Sequence, residues 1–311
     1  MITILMAACN GEKYLAEQIE SILDQTERNW KLVIQDDRST DGTFGIARGY
    51  ARKDPGRILA VQRETPSGSA QNNFFSMLRF AGSEYAMFCD DDDVWLPDKI
   101  ATTLSEMKRL EQTAGPETPL LVHTDLRVVD AELKTISASM MRTQKLDPAC
   151  RSLNRLLVQN NATGCTMMVN RRLLELVVRQ GLPRHAVMHD WWFALIASAL
   201  GRIGFVPRAT VLYRQHQNNQ VGAKNAGSLS YNLRRLADGR ASKQSLSAAY
   251  RQAGEFLDRF GPLLGEGRRQ LLRDFIAVPS LGKWKRLAVI RRDDFWKTGF
   301  FRKCGQIWFP S

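Results

Sequence analysis

Four consecutive aspartates, Asp90 to Asp93, stand directly after the apolar run Tyr85-Ala86-Met87-Phe88 and Cys89, and before Val94-Trp95-Leu96-Pro97. Adjacent like charges repel, so such a run is either solvated or matched by a cation. A solvated loop is the ordinary reading of four acids. Here the run ends a strand-like segment and a proline fixes it ahead of a helical pattern, which favours a hard divalent cation, Mg²⁺ or Mn²⁺. Such ions combine one or two carboxylates with phosphate oxygens of a substrate, and that chemistry implies a diphosphate-containing ligand. A second acidic pair, Asp36-Asp37, follows Lys31-Leu32-Val33-Ile34-Gln35. With Ser39-Thr40-Asp41-Gly42 behind it, the pair suits turn or capping roles. In the functional alternative, one carboxylate accepts the imide N–H of a uracil or thymine base, and backbone groups near Ala7 support the ring.

The elements that carry these acids alternate in type. Residues 2–8 read as a strand, followed by Asn10-Gly11 and by Leu15, Ile19, Ile22 and Leu23 at helical spacing. The unit recurs through strand 31–35 and the helix around Ile46-Ala47. It recurs again through Ile58-Leu59-Ala60-Val61, the Pro66-Ser67-Gly68-Ser69 loop and a helix carrying Phe74, Phe75, Leu78 and Ala81. The acidic run then precedes a helix marked by Ile100, Leu104, Met107 and Leu110. This pattern predicts an α/β fold with a mainly parallel central sheet flanked by helices, whose ligands bind beyond the carboxyl ends of the strands. Residues 116–223 are less regular, with strands near 120–122, 166–169 and 211–213 and a helix beginning near Asp190. They are assigned to the same 1–223 domain, residues 1–115 forming its nucleotide half and 116–223 its acceptor half. Residues 224–311 form a helical, basic C-terminal extension, with a stripe of Leu246, Ala249, Tyr250, Ala253, Phe256, Leu257 and Phe260.

The chain has 311 residues, 44% of them hydrophobic, enough for a sizeable core, and a formal net charge of +12. The charge is not spread evenly: residues 224–311 hold 18 of the 44 Lys and Arg but only 7 of the 32 Asp and Glu. A nucleic-acid enzyme would carry positive charge through its catalytic body to track phosphates, so a nucleic-acid partner is not expected. The cysteines Cys9, Cys89, Cys150, Cys165 and Cys304 are odd in number and include no Cys-x-x-Cys pair, which suggests neither a disulfide framework nor a zinc site. A reducing cytoplasm fits. The opening residues lack the basic start of a signal peptide, and no apolar stretch approaches the ~20 residues of a membrane span.

The order and spacing of five motifs resemble those of the family 2 inverting glycosyltransferases of the GT-A fold, over roughly residues 2–223. They are Ala7-Ala8-Cys9-Asn10-Gly11, Asp36-Asp37-Arg38-Ser39-Thr40-Asp41-Gly42-Thr43, Asp90 through Ile100, His189-Asp190-Trp191-Trp192, and Tyr213-Arg214-Gln215-His216. The form of the acidic motif and the His-Asp-Trp-Trp run are most similar to the bacterial rhamnosyltransferase-like branch. The resemblance implies that Ala7, Asn10, Glu12, Asp37 and Asp91 bind the nucleotide. It implies that Asp90 and Asp92 bind metal, Asp92 most directly, with His216 as metal or phosphate contact. It implies that Asp190 is the catalytic base, against the alternative that Asp190 only caps a helix starting at Trp191. A helix N-terminus would keep that base ionised. Arg214 is the implied diphosphate clamp, and His189 an orienter of Asp190 or an acceptor contact. Gly164, in Asn161-Ala162-Thr163-Gly164-Cys165, would line the sugar pocket unless it is a packed turn, and Trp191 and Trp192 would form an acceptor platform unless they are core. The chain departs from the pattern at Arg38, often glycine in the family, and in the acidic spacer Asp91.

The resemblance therefore implies a metal-dependent transferase that moves a sugar, with L-rhamnose from dTDP-rhamnose the first choice, to a glycan or lipid-linked acceptor in cell-envelope polysaccharide synthesis. A UDP-hexose donor on the same apparatus is the near alternative, and a sugar-nucleotide-binding protein without turnover the distant one. In the basic extension, Lys283-Trp284-Lys285-Arg286 and the later Phe295-Trp296-Lys297 interleave cations with aromatics. That mixture suits an anionic membrane surface, on the inner face of the cell membrane, or a folded subdomain with solvated cations.

Overall fold

The computed structural model describes residues 1–216 and 239–299 together with 302, 303 and 306. The 223/224 boundary, Gln217-Asn218-Asn219, Phe300, Phe301, Cys304 and Trp308-Phe309 lie outside the described residues. The chain opens with β1 (Ile2–Ala8), α1 (Leu15–Leu23), β2 (Trp30–Asp36), α2 (Thr43–Lys53), β3 (Ile58–Gln62) and α3 (Ala70–Met77). It continues through β4 (Tyr85–Asp90), β5 (Val94–Trp95), α4 (Lys99–Ala114), β6 (Leu120–Val129), β7 (Thr135–Ser137), α5 (Met140–Thr143) and α6 (Leu153–Val158). Then come β8 (Met167–Asn170), α7 (Arg171–Arg179), α8 (His189–Leu200) and β9 (Arg202–Arg214). Three helices follow, α9 (Gly239–Phe260), α10 (Glu266–Ala277) and α11 (Lys283–Arg292).

All described strands join one sheet in the order β3-β2-β1-β4-β8-β6-β9-β5, with β7 on β6. The first four are parallel, as their connecting helices require. The register sets Ala7 opposite both Gln35 and Asp90, and Ala8 opposite Asp36, so the acidic strand ends stand level. Beyond β4 the sheet is mixed. Strand β8 runs antiparallel to β4 and β6, and so delivers the Gly164–Thr166 turn that precedes it to the carboxyl end of β4. Strand β9 runs parallel to β6 and antiparallel to β5, which returns its last residue, Arg214, to the acidic run.

Side chains alternate across the sheet with period two. Ile4, Met6, Leu32, Ile34 and Met87 face the cluster under α1 and α4, while Leu5, Val33, Ala86 and Phe88 face the cluster under α3, α6 and α8. The second cluster also takes the stripe of α9. Leu246, Ala249, Ala253, Phe256 and Phe260 are buried, and the rings of Phe256 and Phe260 lie 5.5 Å and 5.9 Å from Trp192 of α8. Phe275, Ile290 and Phe295 extend the same cluster, so most of the described aromatics of the basic extension are core. A Phe256→Ala substitution should lower the unfolding free energy by about 3–5 kcal/mol and shift a single urea transition. A separate early transition of the C-terminal helices would contradict this shared core.

Candidate active site

Two loops at the strand ends are riveted together. The Asn10 N–H donates to Ser39 Oγ at 2.8 Å, and its side-chain oxygen accepts from Thr40 N at 2.9 Å. Glu12 accepts from Gly42 N at 2.8 Å, and Gly11 N donates to Thr43 Oγ1 at 2.8 Å. Gly11 is required by space, since a Cβ there would lie 2.3 Å from Asp91 Oδ2. Arg38 adopts φ 63°, the left-handed region where a side chain costs about 1–2 kcal/mol. That backbone accounts physically for a glycine preference at this position. Asp37 receives the N–H and hydroxyl of Ser67, both at 2.6 Å, and Arg63 at 3.3 Å. Asp36 is buried and accepts from Gln62 Nε2 at 2.8 Å. Of the acidic pair, Asp37 keeps partial exposure, and Ser67 and Arg63 join it from the β3–α3 loop.

The four aspartates have four different surroundings. Asp90 is half-buried, and burial, then Asp92, Asp91 and Asp190, push its carboxyl up to about 8. Asp91 accepts from Cys9 N at 2.9 Å, yet burial and Asp92 push it up to about 7. Asp92 meets His216, with Nε2 2.8 Å from Oδ2. Asp93 is fully buried, accepts from Arg214 N at 3.0 Å through Oδ1, and is pushed well up by burial and by Asp92 and Asp90. Arg214 is 2% exposed, and its guanidinium meets the carbonyls of Asp92 and Ala131, the Glu17 carboxylate and the Tyr14 ring. It therefore ties β9 and α1 to the acidic loop. Lys99 is also buried, its ammonium 4.6 Å from the Trp95 ring centroid, and burial lowers it to about 8. Asp92 and the His216 imidazole, in contact and partly open, are donor types that suit Mg²⁺ or Mn²⁺, whereas the described ligand atoms that gather within 4.8 Å of one another belong to Asp90, Asp93 and Cys165.

Across the cleft, α8 begins at His189, and its N-cap is Met188. Asp190 is thus the second helical residue, not the cap of a helix starting at Trp191. Its Oδ2 accepts from Gly164 N at 3.1 Å and its Oδ1 from Trp191 N at 2.5 Å. The expectation that the helix N-terminus keeps this carboxyl low is corrected. Burial outweighs both N–H donors and pushes it up to about 7. His189 packs between Phe74 and Phe88, with ring centroids at 4.1 Å and 4.9 Å, and burial depresses it to about 3, so it is a neutral core imidazole. Gly164 is fixed by that packing, because a Cβ there would stand 2.7 Å from His189 Nε2. The proposed tryptophan platform is also corrected. Trp192 is fully buried, and Trp191 is 8% exposed with its indole N–H on the Leu156 carbonyl at 2.5 Å.

Sequence reasoning missed Ser67, Arg63, Glu17 and Lys99. Only Lys99 left a signal: a lysine beside Ile100, Thr103, Leu104 and Met107 on the buried face of α4.

The model for glycosyl transferase family 2 matches residues 3–116. The chain is 26% identical over 227 residues to the dTDP-rhamnosyl transferase RfbG of Shigella flexneri, covering 70% of this chain and 74% of that one. It is 33% identical over 132 residues to the putative glycosyltransferase EpsE of Bacillus subtilis, covering 42% of this chain and 47% of that one. Among solved structures, S. aureus TarS 1–349 superposes with a TM-score of 0.57 at 18% identity, covering 94% of this chain and 72% of that one, a likeness of fold.

The raised carboxyls make a thermodynamic prediction. An unfolded aspartate loses its proton near its ordinary value of 3.8, whereas Asp91 and Asp190 hold theirs to about 7 and Asp90 to about 8. Between those limits the folded protein binds more protons, so its stability must fall as pH rises. The Tm of metal-free protein is expected to drop by several degrees from pH 5 to pH 8, and Mn²⁺ at pH 8 to restore part of it. A Tm that climbs over that range would refute the burial of charge described here.

Proposed function

We propose that this chain, a family 2 glycosyltransferase by its match over residues 3–116 and its likeness to RfbG, moves L-rhamnose from dTDP-rhamnose to a hydroxyl of a glycan or lipid-linked acceptor, with inversion at the anomeric carbon. The observation that carries the reading is Asp190: a partly open carboxylate, held by the Gly164 and Trp191 N–H groups, with its proton affinity brought to about 7. A base works best when its pKa lies near the operating pH, and a binding protein needs no such group. The acceptor hydroxyl gives its proton to Asp190 as its oxygen attacks the anomeric carbon from the face opposite the nucleotide. Asp37, fixed by Ser67, takes the base of the nucleotide, and the riveted Asn10 and Glu12 loop holds the shape of that pocket. Asp90 and Asp92, with His216, would hold a divalent ion, which when bound stabilises charge on the departing diphosphate. Arg214 keeps those ligands in place from behind. The relative RfbG supports the rhamnosyl donor.

Replacing Asp190 with Asn should lower kcat by about 10²–10⁴-fold while nucleotide-sugar affinity stays within a few-fold. Wild-type turnover in the variant would remove the base assignment.

The cytoplasmic face of the membrane is the proposed place of work. No described helix is long and apolar enough to cross a membrane. Helix α11 instead offers Trp284, 80% exposed, between exposed Lys283 and Lys285, with Arg291 exposed farther on. An exposed indole flanked by cations fits an anionic lipid surface, where each cation contributes about 1 kcal/mol. Lys283→Glu with Lys285→Glu should weaken sedimentation with phosphatidylglycerol vesicles by at least about tenfold, without affecting donor hydrolysis. Equal vesicle binding by variant and parent would remove α11 as the docking element.

A further inference from the structure

The fold brings Cys165 to the end of β4. One carboxylate oxygen each from Asp90 and Asp93 and the Cys165 sulfur lie within 4.8 Å of one another, though no cysteine spacing in the sequence suggested a metal. The three sit on different elements: Asp90 ends β4, Asp93 precedes β5, and Cys165 lies in the turn before β8. Asp93 is fully buried, its Oδ1 holds the Arg214 N–H, its Oδ2 meets no N–H or O–H donor, and the Cys165 thiol is the side chain that faces the carboxyl. A buried carboxylate oxygen without a donor is costly, and a cation satisfies it. Mg²⁺ avoids sulfur, whereas Zn²⁺ and Cd²⁺ bind thiolate and carboxylate together.

We propose that Asp90, Asp93 and Cys165 form a thiophilic metal site, distinct from the Asp92–His216 pair but sharing Asp90, that takes Zn²⁺ or Cd²⁺. Ligand atoms on a zinc ion lie about 3.3–3.8 Å apart at tetrahedral angles, so side-chain adjustment inside the 4.8 Å spread of the trio supplies three ligands. The half-buried side of Asp90 leaves the fourth position to water. Binding forms one metal–sulfur and two metal–oxygen bonds and releases to solvent the Cys165 thiol proton together with the protons held by Asp90 and Asp93, with no change of oxidation state. Because the Gly164 N–H holds Asp190, an ion on the next residue couples this site to the base.

The test uses the full chain with Cys9, Cys150 and Cys304 changed to Ser, titrated with Cd²⁺ alone and followed by the ultraviolet thiolate-to-cadmium charge-transfer band. The band should saturate at one equivalent, disappear in Cys165→Ala, and need at least about tenfold more Cd²⁺ in Asp93→Asn. Circular dichroism confirms folding of each variant, and the Asp93→Asn titration decides the matter where Cys165→Ala does not fold. No band in the parent, a band that survives Cys165→Ala, or an unchanged Asp93→Asn titration overturns the site.

Discussion

Four carboxylates crowded at the end of one strand, and partly removed from water, set the terms for the rest of this molecule. Desolvation and mutual repulsion both oppose ionisation there, and Asp90, Asp91 and Asp93 respond with raised proton affinities. The surrounding chain offsets the cost with fixed donors. The Cys9 N–H meets Asp91, the Arg214 N–H meets Asp93, and His216 meets Asp92. The donors arrive from two places far apart in sequence, so the loop after β1 and the end of β9 must converge before the acidic run can be held. The sheet order accomplishes this, placing β1 beside β4 and returning β9 against β5.

The side of the site opposite the acidic run is tied to it through the sheet. Strand β8 pairs with β4 and brings the Gly164 turn to the acids, and the Gly164 N–H in turn holds Asp190. Asp190 contributes to the raised Asp90 carboxyl, so the two sides are electrostatically linked.

Much of this was legible in the residues. The alternation of apolar runs with helical patterns gave the parallel half of the sheet, and each acidic cluster lies at a strand end as anticipated. What one dimension hid was contact between distant segments. Nothing in the spacing links Cys165 to Asp93, Ser67 to Asp37 or Arg214 to Glu17, because these meetings depend on which strands pair. Polarity misled in another way. His189 and the two tryptophans sit in a functional motif, yet their rings build the floor under Gly164 and α8 rather than a sugar surface. The positive backbone angle of Arg38 explains a departure that the sequence displayed but could not interpret.

The described part of the basic extension divides its residues between core and surface. Its apolar stripe enters the core against Trp192, while Trp284 and its flanking lysines remain outside. The central claim concerns the base. In the proposed mechanism a single carboxylate, Asp190, acts opposite the departing nucleotide, which permits one displacement and no covalent sugar intermediate. The most direct test is the anomeric configuration of the purified product, read by NMR against that of the donor. Inversion is predicted, and retention would contradict the account.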